Sequence, residues 1–208
     1  MPTKTFLRLP EEKQARFMDA AWAEFTRVSY ADTSISNIVK DAGISRGSFY
    51  QYFTDKDDLF SYLMEEVRRH FTSSYLGLLE AVRGDLFQVH LAAYDRFVQQ
   101  NSNPPPLVDR VIRLLRINPW LDFQKITMKN PDTLLLEDLY SHLDISRFRK
   151  KDPAFVQQVL SLSIFSLGSA IMYTLVHPES RDACREELAF RLDIIQHGAM
   201  DQSAPVNP

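Results

Sequence analysis

TSISNIVKDAGISRGSFYQYFTDK, residues 33–56, decides how this chain reads. Ile35, Ile38, Val39 and Ala42 recur at helical spacing. Gly43 then stops the helix, since a helix end that needs φ > 0 is most easily a glycine. Ile44 fills the corner, and Ser45 offers a hydroxyl as N-cap to a second short helix over 46–52. Phe49 and Phe53 sit four apart and face inward, which leaves Arg46, Gly47, Ser48, Tyr50 and Gln51 outside. Two short amphipathic segments about one glycine corner predict a helix-turn-helix over residues 34–53. Such a motif seats one short helix in the major groove of DNA.

Working outward, Pro10, Glu11 and Glu12 open a helix, because proline tolerates the first turn and acidic side chains suit its dipole. Phe17, Met18, Ala21, Trp22 and Phe25 continue it at helical spacing, predicting a helix over 10–28 behind a mobile arm of residues 1–9. Thr33, Ser34 and Ser36 all offer N-cap oxygens to the next helix. Beyond the motif, Thr54 or Asp55 caps a long helix over 56–82, with Leu59, Phe60, Leu63, Met64 and Val67 inward. Gly84 breaks that pattern, and three consecutive prolines make a loop of Asn101–Pro106. Further helices are predicted over 86–100, 107–118, 120–128, 132–148, from Pro153 to near His177, and 179–197, with a disordered tail over 201–208. Strand alternation and internal repeats are absent. The fold class is all-α with about nine helices. A three-helix helix-turn-helix domain over 10–55 precedes a helical bundle over 56–200.

The bulk numbers narrow the function classes. At 208 residues, 45% apolar and 25% charged, the chain has an ordinary globular composition and enough length for a core. A net charge of −3 argues against a generic polyanion binder. Residues 1–70 carry ten Lys/Arg against eleven Asp/Glu, so DNA affinity there needs charge sorted onto one face. A single cysteine, Cys184, allows no intrachain disulfide and fits a reducing cytoplasm. No Cys/His group has metal-ligand spacing, no cofactor loop is visible, and the N-terminus lacks a secretory apolar region. Val159–Val176 carries no charge and reaches membrane-span length. Its five Ser/Thr residues favour a buried helix at a subunit interface, so no membrane partner is expected.

The order of residues resembles the TetR family of bacterial transcriptional regulators. The resemblance rests on Thr33-x-Ile35-x-x-Ile38, Ala42-Gly43-Ile44-Ser45-x-Gly47-x-Phe49-Tyr50-x-Tyr52-Phe53 and Lys56-x-x-Leu59, and spans about residues 11–65. It implies an all-α homodimer with an N-terminal DNA-binding domain and a C-terminal ligand-binding and dimerisation domain. One departure is Ser29-Tyr30, where many members have Gly before an aromatic, so the turn after the first helix is expected to differ.

Within that frame Arg46 is the candidate for a guanine contact, its planar fork matching O6 and N7, with a phosphate contact as the competing reading. Gly47 allows close approach to the duplex, and Ser45, Ser48 and Gln51 lie within reach of bases or phosphates. Tyr50 and Tyr52 suit phosphate contacts through their hydroxyls, with core packing the alternative for Tyr52. Lys56 corresponds to the family's phosphate lysine, and Thr33 and Ser34 could cap a helix and meet a phosphate together.

In the remaining chain, Tyr94, Phe97, Trp120, Phe123, Tyr140, Phe165 and Tyr173 are candidates to line an apolar pocket, with ordinary core the competing reading for each. Trp120, after Pro119 at a helix break, suits a cavity best. His90 and His142 could hydrogen-bond a ligand. The resemblance implies dimerisation through the last two helices. Ile164, Gly168, Ile171, Leu175, Leu188, Leu192 and Ile195 are the expected interface. The expected partners are an operator duplex, a second copy of the chain and a small apolar or amphipathic ligand that releases a repressor. An enzyme is the alternative class, but no nucleophile, acid–base pair or phosphate loop converges. A third reading is a DNA-binding dimer without a ligand.

Overall fold

The structure is a computed structural model that describes residues 2–101, 104–118 and 135–200. Those residues form ten α-helices. They are α1 (Lys4–Leu7), α2 (Glu11–Phe25), α3 (Ile35–Ala42), α4 (Arg46–Tyr52), α5 (Lys56–Ala81), α6 (Leu86–Asn101), α7 (Pro106–Ile117), α8 (Leu135–His142), α9 (Pro153–Val176) and α10 (Arg181–Ala199). Trp120, Phe123, the helix expected over 120–128 and the tail over 201–208 lie outside the described residues. The all-α expectation holds. The contacts divide the chain into two compact units, one drawn from residues 1–70 and 104–129, the other from 71–103 and 130–208.

The first unit is built on aromatic packing. Phe17 of α2 stacks on Phe53 at 5.7 Å, and Phe25 lies against Tyr30 and Phe60 at 6.1 and 5.0 Å. The arm expected over residues 1–9 is corrected here. Residues 4–7 are helical, Thr3 Oγ1 caps that turn through the Phe6 amide, and Phe6 is fully buried. Its ring centroid lies 5.1 Å from that of Phe53 and 5.6 Å from that of Phe17. One aromatic in a short polar segment has no periodicity to announce it, so the contact is invisible in sequence.

Helix α7 also belongs to this unit, from a distant part of the chain. Arg110 bonds Asp19 of α2 at 2.6 Å and lies over the Trp22 ring. Past its end, Asn118 donates its amide to Leu114 O and accepts the Tyr30 N–H at 2.8 Å.

In the second unit, the end of α5 packs with α6, α8, α9 and α10 around Leu79, Val89, Val156, Leu160 and Leu188. Tyr94 is buried, and its hydroxyl lies 2.7 Å from Thr174 Oγ1 and 2.8 Å from Arg181 O, which joins α6 to the α9–α10 corner. Gly84 adopts φ +81° at the α5–α6 turn, where any Cβ would sit 2.7 Å from Asp144 N. The helix expected over 132–148 ends at His142 instead. Asp144 donates its backbone N–H to Gly84 O, and its carboxylate accepts the Ser146 N–H, a local turn that competes with helix.

Helix α9 has the length and apolarity to cross a membrane by composition alone. Val156, Leu160, Leu167 and Leu175 nonetheless pack into the unit's core, and Ser163 and Ser166 return their hydroxyls to carbonyls of their own helix.

His90 is fully buried in this unit, its Nδ1 on Leu86 O and its Nε2 3.5 Å from the Tyr75 hydroxyl. Burial pushes its imidazole from 6.5 down to about 4. The unfolded chain therefore binds a proton across that window that the native chain refuses, so stability falls as pH drops from 6.5 towards 4. Chemical unfolding at pH 7 and pH 4 should show a loss on the order of 3 kcal/mol from this group. His90→Leu should remove that component; an unchanged pH slope in the variant contradicts it.

Candidate nucleic-acid interface

The helix-turn-helix is assembled from local rules. α3 buries Ile38, Val39 and Ala42 and ends at Gly43, whose φ is +67°. The Gly43 N–H donates to Lys40 O and the Ile44 N–H to Val39 O, which closes the helix end. Ser45 caps α4, its hydroxyl accepting the Ser48 N–H at 3.0 Å and lying 2.9 Å from the Ser48 hydroxyl. Phe49 is fully buried and fixes the rotation of α4. That rotation leaves Arg46, Gly47, Tyr50 and Gln51 exposed, as the spacing predicts. A Cβ placed on Gly47 would meet only the Ser45 hydroxyl, so this side of α4 is open to close approach. Arg46 Nη1 reaches Ser36 Oγ at 3.4 Å, which draws the guanidinium alongside α3.

Several residues expected at the duplex also make contacts within their own unit. Thr33 is buried and donates its hydroxyl to Ser29 O at 3.1 Å. It is not the cap of α3; it closes the 29–33 turn. Ser34 is the N-cap of α3 by position, but its side chain makes no capping bond. Tyr52 packs half-buried against Phe6 and Phe17, the alternative its sequence position allowed. Lys56 lies over the Tyr30 ring at 4.9 Å and donates its ammonium to the carbonyls of Tyr30, Ala31 and Thr33 at 2.8, 3.2 and 3.4 Å. It staples the turn between α2 and α3. Tyr30, the aromatic of that turn, donates its hydroxyl to Asp57, and burial together with that carboxylate raises the phenol well above its ordinary range.

Sequence reasoning missed Glu24. It lies on the buried side of α2, 2% exposed, between Trp22 and Phe25. Its carboxylate accepts the Ser34 N–H at 3.1 Å and the Asn37 side-chain amide at 2.9 Å, and pairs with Arg27. Glu24 therefore ties the start of α3 to α2, accepting the N–H of the N-cap residue Ser34 itself and the side-chain amide of Asn37. Burial alone would raise the Glu24 pKa, but the bonds from Arg27, Asn37 and Ser34 outweigh it and hold the carboxyl below its usual value. The available signal was an acidic residue at an apolar position of a helix.

The expected pocket and dimer residues are redistributed. Tyr94 is buried and its hydroxyl engaged, Phe97 is half-buried, and Tyr140 donates its hydroxyl to Lys151 O at 3.0 Å. Phe165 and Tyr173 face outward, Phe165 at 66% exposure, so they line no interior pocket among the described residues. Conversely Leu175, Leu188 and Leu192 are buried in the unit's own core, and Ile164, Gly168, Ile171 and Ile195 are half-buried. The exposed apolar stripe is instead Leu162, Phe165, Tyr173 and Val176 on α9 with Phe190 and Ile194 on α10. A helix apolar all round gives no sequence sign of which side meets its own core.

Comparison with known proteins agrees with the geometry. Residues 17–63 match the model of bacterial regulatory proteins, tetR family. The chain is 34% identical over 143 residues to the regulator BetI of Vibrio parahaemolyticus, covering 69% of this chain and 68% of that one. It is 38% identical over 55 residues to the regulator AcrR of Shigella flexneri, a match covering 26% of each chain, so it spans about a quarter of that relative. Among solved structures, a TetR family regulator from Chloroflexus aurantiacus superposes with a TM-score of 0.50 at 25% identity, covering 97% of this chain and all of that one. SmeT, the repressor of the Stenotrophomonas maltophilia efflux pump SmeDEF, gives 0.59 at 19% identity over 97% and 95% of the two chains, a likeness of fold.

Glu24→Ala should lower the unfolding free energy by about 1–3 kcal/mol, the cost of orphaned buried partners. Because the folded pKa of Glu24 lies below its ordinary 4.5, its stabilisation is present above that value and fades as pH falls through the folded pKa. Glu24→Gln should blunt this acid limb. Thermal melts from neutral to acid pH test both, and a wild-type acid profile in the glutamine variant contradicts the role.

Proposed function

We propose that this chain, which belongs to the tetR family of bacterial regulatory proteins, binds a palindromic operator as a dimer and represses transcription until a small molecule releases it. That it is a DNA-binding transcriptional regulator follows from the family. The observation that carries the fuller reading is the exposed face of α4, with Arg46, Gly47, Tyr50 and Gln51 presented by a helix whose rotation Phe49 fixes. Arg46 reads a guanine, and Tyr50 and Ser34 meet flanking phosphates. Lys56 contributes chiefly by holding the turn that leads into α3.

Dimerisation uses the exposed stripe on α9 and α10. Leu162, Phe165, Tyr173 and Val176 fall on one side of α9, and Phe190 and Ile194 lie one turn apart on α10. A second copy burying these side chains gives a four-helix interface related by a two-fold axis, which in turn calls for a palindromic site. The repressor sign follows the named role of SmeT, whose fold this chain shares. The effector is small and apolar or amphipathic, and binds among the helices of the second unit near Phe97 and Tyr140. It acts by favouring a dimer whose recognition helices are wrongly spaced for successive grooves.

Two outcomes are expected. Arg46→Ala should relax discrimination at one base pair of a selected duplex by about 1–3 kcal/mol while leaving the fold intact, read by competition binding. Phe165→Glu should yield monomers in sedimentation and abolish tight operator binding. A dimeric Phe165→Glu chain would place the interface elsewhere, and operator affinity indifferent to a metabolite panel would remove the effector.

A further inference from the structure

The α4 helix has no basic residue in its last turn, and its carbonyl end carries negative partial charge. A helix of seven residues is about 10 Å long. A recognition helix meets base edges with its first residues, so the carbonyl end of α4 points away from the bases, towards the phosphate rim of the groove. Left alone, that end would repel it.

The N-terminal segment lies at this end. Thr3 donates its backbone N–H to Tyr52 O at 3.0 Å and its hydroxyl to Gln51 O at 2.6 Å. Two of the orphan carbonyls of α4 are thus bonded by a residue almost fifty positions away. Phe6, buried against Tyr52, Phe53 and Tyr62 as well as Phe17, fixes where this segment sits. Lys4, next to Thr3, is exposed, as are Thr3 itself and Gln51. The first 70 residues carry more acidic than basic side chains, so each well-placed cation there counts.

We propose that the N-terminal segment is part of the DNA interface: Lys4 contacts a backbone phosphate at the carbonyl end of α4, and Thr3, by bonding two of its terminal carbonyls, lessens the negative end that would oppose it. The assignment rests on α4 being the recognition helix. It makes a short segment ahead of the family motif a contributor to affinity and not to sequence preference, because a lysine on a phosphate carries no base information.

The test uses the full chain and a duplex that the wild type selects from a random-sequence pool, with an unselected duplex beside it. Binding is measured between about 50 and 200 mM salt. Lys4→Ala is expected to weaken both duplexes by the same factor, about three- to tenfold, and to reduce the log–log salt slope by about one. Its melting temperature should match the wild type, and Lys4→Arg should restore the slope. Thr3→Val, which keeps the N–H but loses the hydroxyl, should weaken binding without changing the slope. A wild-type slope and affinity in Lys4→Ala overturn the proposal, as does weakened binding with an unchanged slope. If wild type binds no duplex, the recognition-helix reading falls with it. If Arg46→Ala loses discrimination while Lys4→Ala is silent, only the Lys4 assignment falls.

Discussion

The interface depends on how the turn between α2 and α3 is held. Side chains grip that turn from every side. Lys56 takes the carbonyls of Tyr30, Ala31 and Thr33, Asn118 takes the Tyr30 N–H, Thr33 takes Ser29 O, and Glu24 takes the Ser34 N–H. Backbone groups that regular structure would satisfy elsewhere are here satisfied one by one. α3 therefore starts at a position set by α2, α5 and α7 together, and α4 follows α3 through a rigid glycine corner.

The same arrangement shows what sequence makes legible. Gly43, Ser45 and Phe49 are read correctly because their roles are local: a positive φ, a cap one turn away, an inward position of a short helix. Lys56 was visible as a motif residue, but its contact with three carbonyls more than twenty positions back was not. Phe6, Glu24 and Asn118 act across α2, α4 and the 29–34 turn, where spacing rules carry no information. Polar character misleads most when it is buried. Glu24 reads as a solvated charge by composition and by geometry is a buried tie between α2 and the start of α3.

The second unit repeats this lesson with the opposite chemistry. α9 is so uniformly apolar that periodicity assigns no inside or outside to it. The residues expected at a dimer interface, Leu175, Leu188 and Leu192, hold the subunit's own core, and those expected in a pocket, Phe165 and Tyr173, stand on its surface. Only packing against α6 and α10 breaks the ambiguity. An exposed stripe of this kind calls for a partner surface.

Helix α7 gives the first unit a consequence in time. Its residues reach the growing chain only after the whole of α5 and α6, yet Arg110 and Asn118 complete contacts with α2 and with the turn at Tyr30. In a chain made from its N-terminus, the helix-turn-helix is made early but still lacks Arg110 over Trp22 and the Asn118 bond to the Tyr30 amide. It becomes whole only when about half of the chain has been synthesised. The reading head of this protein is thus locally encoded but closed by distant residues, and its internal contacts are complete with residue 118 and not with residue 56.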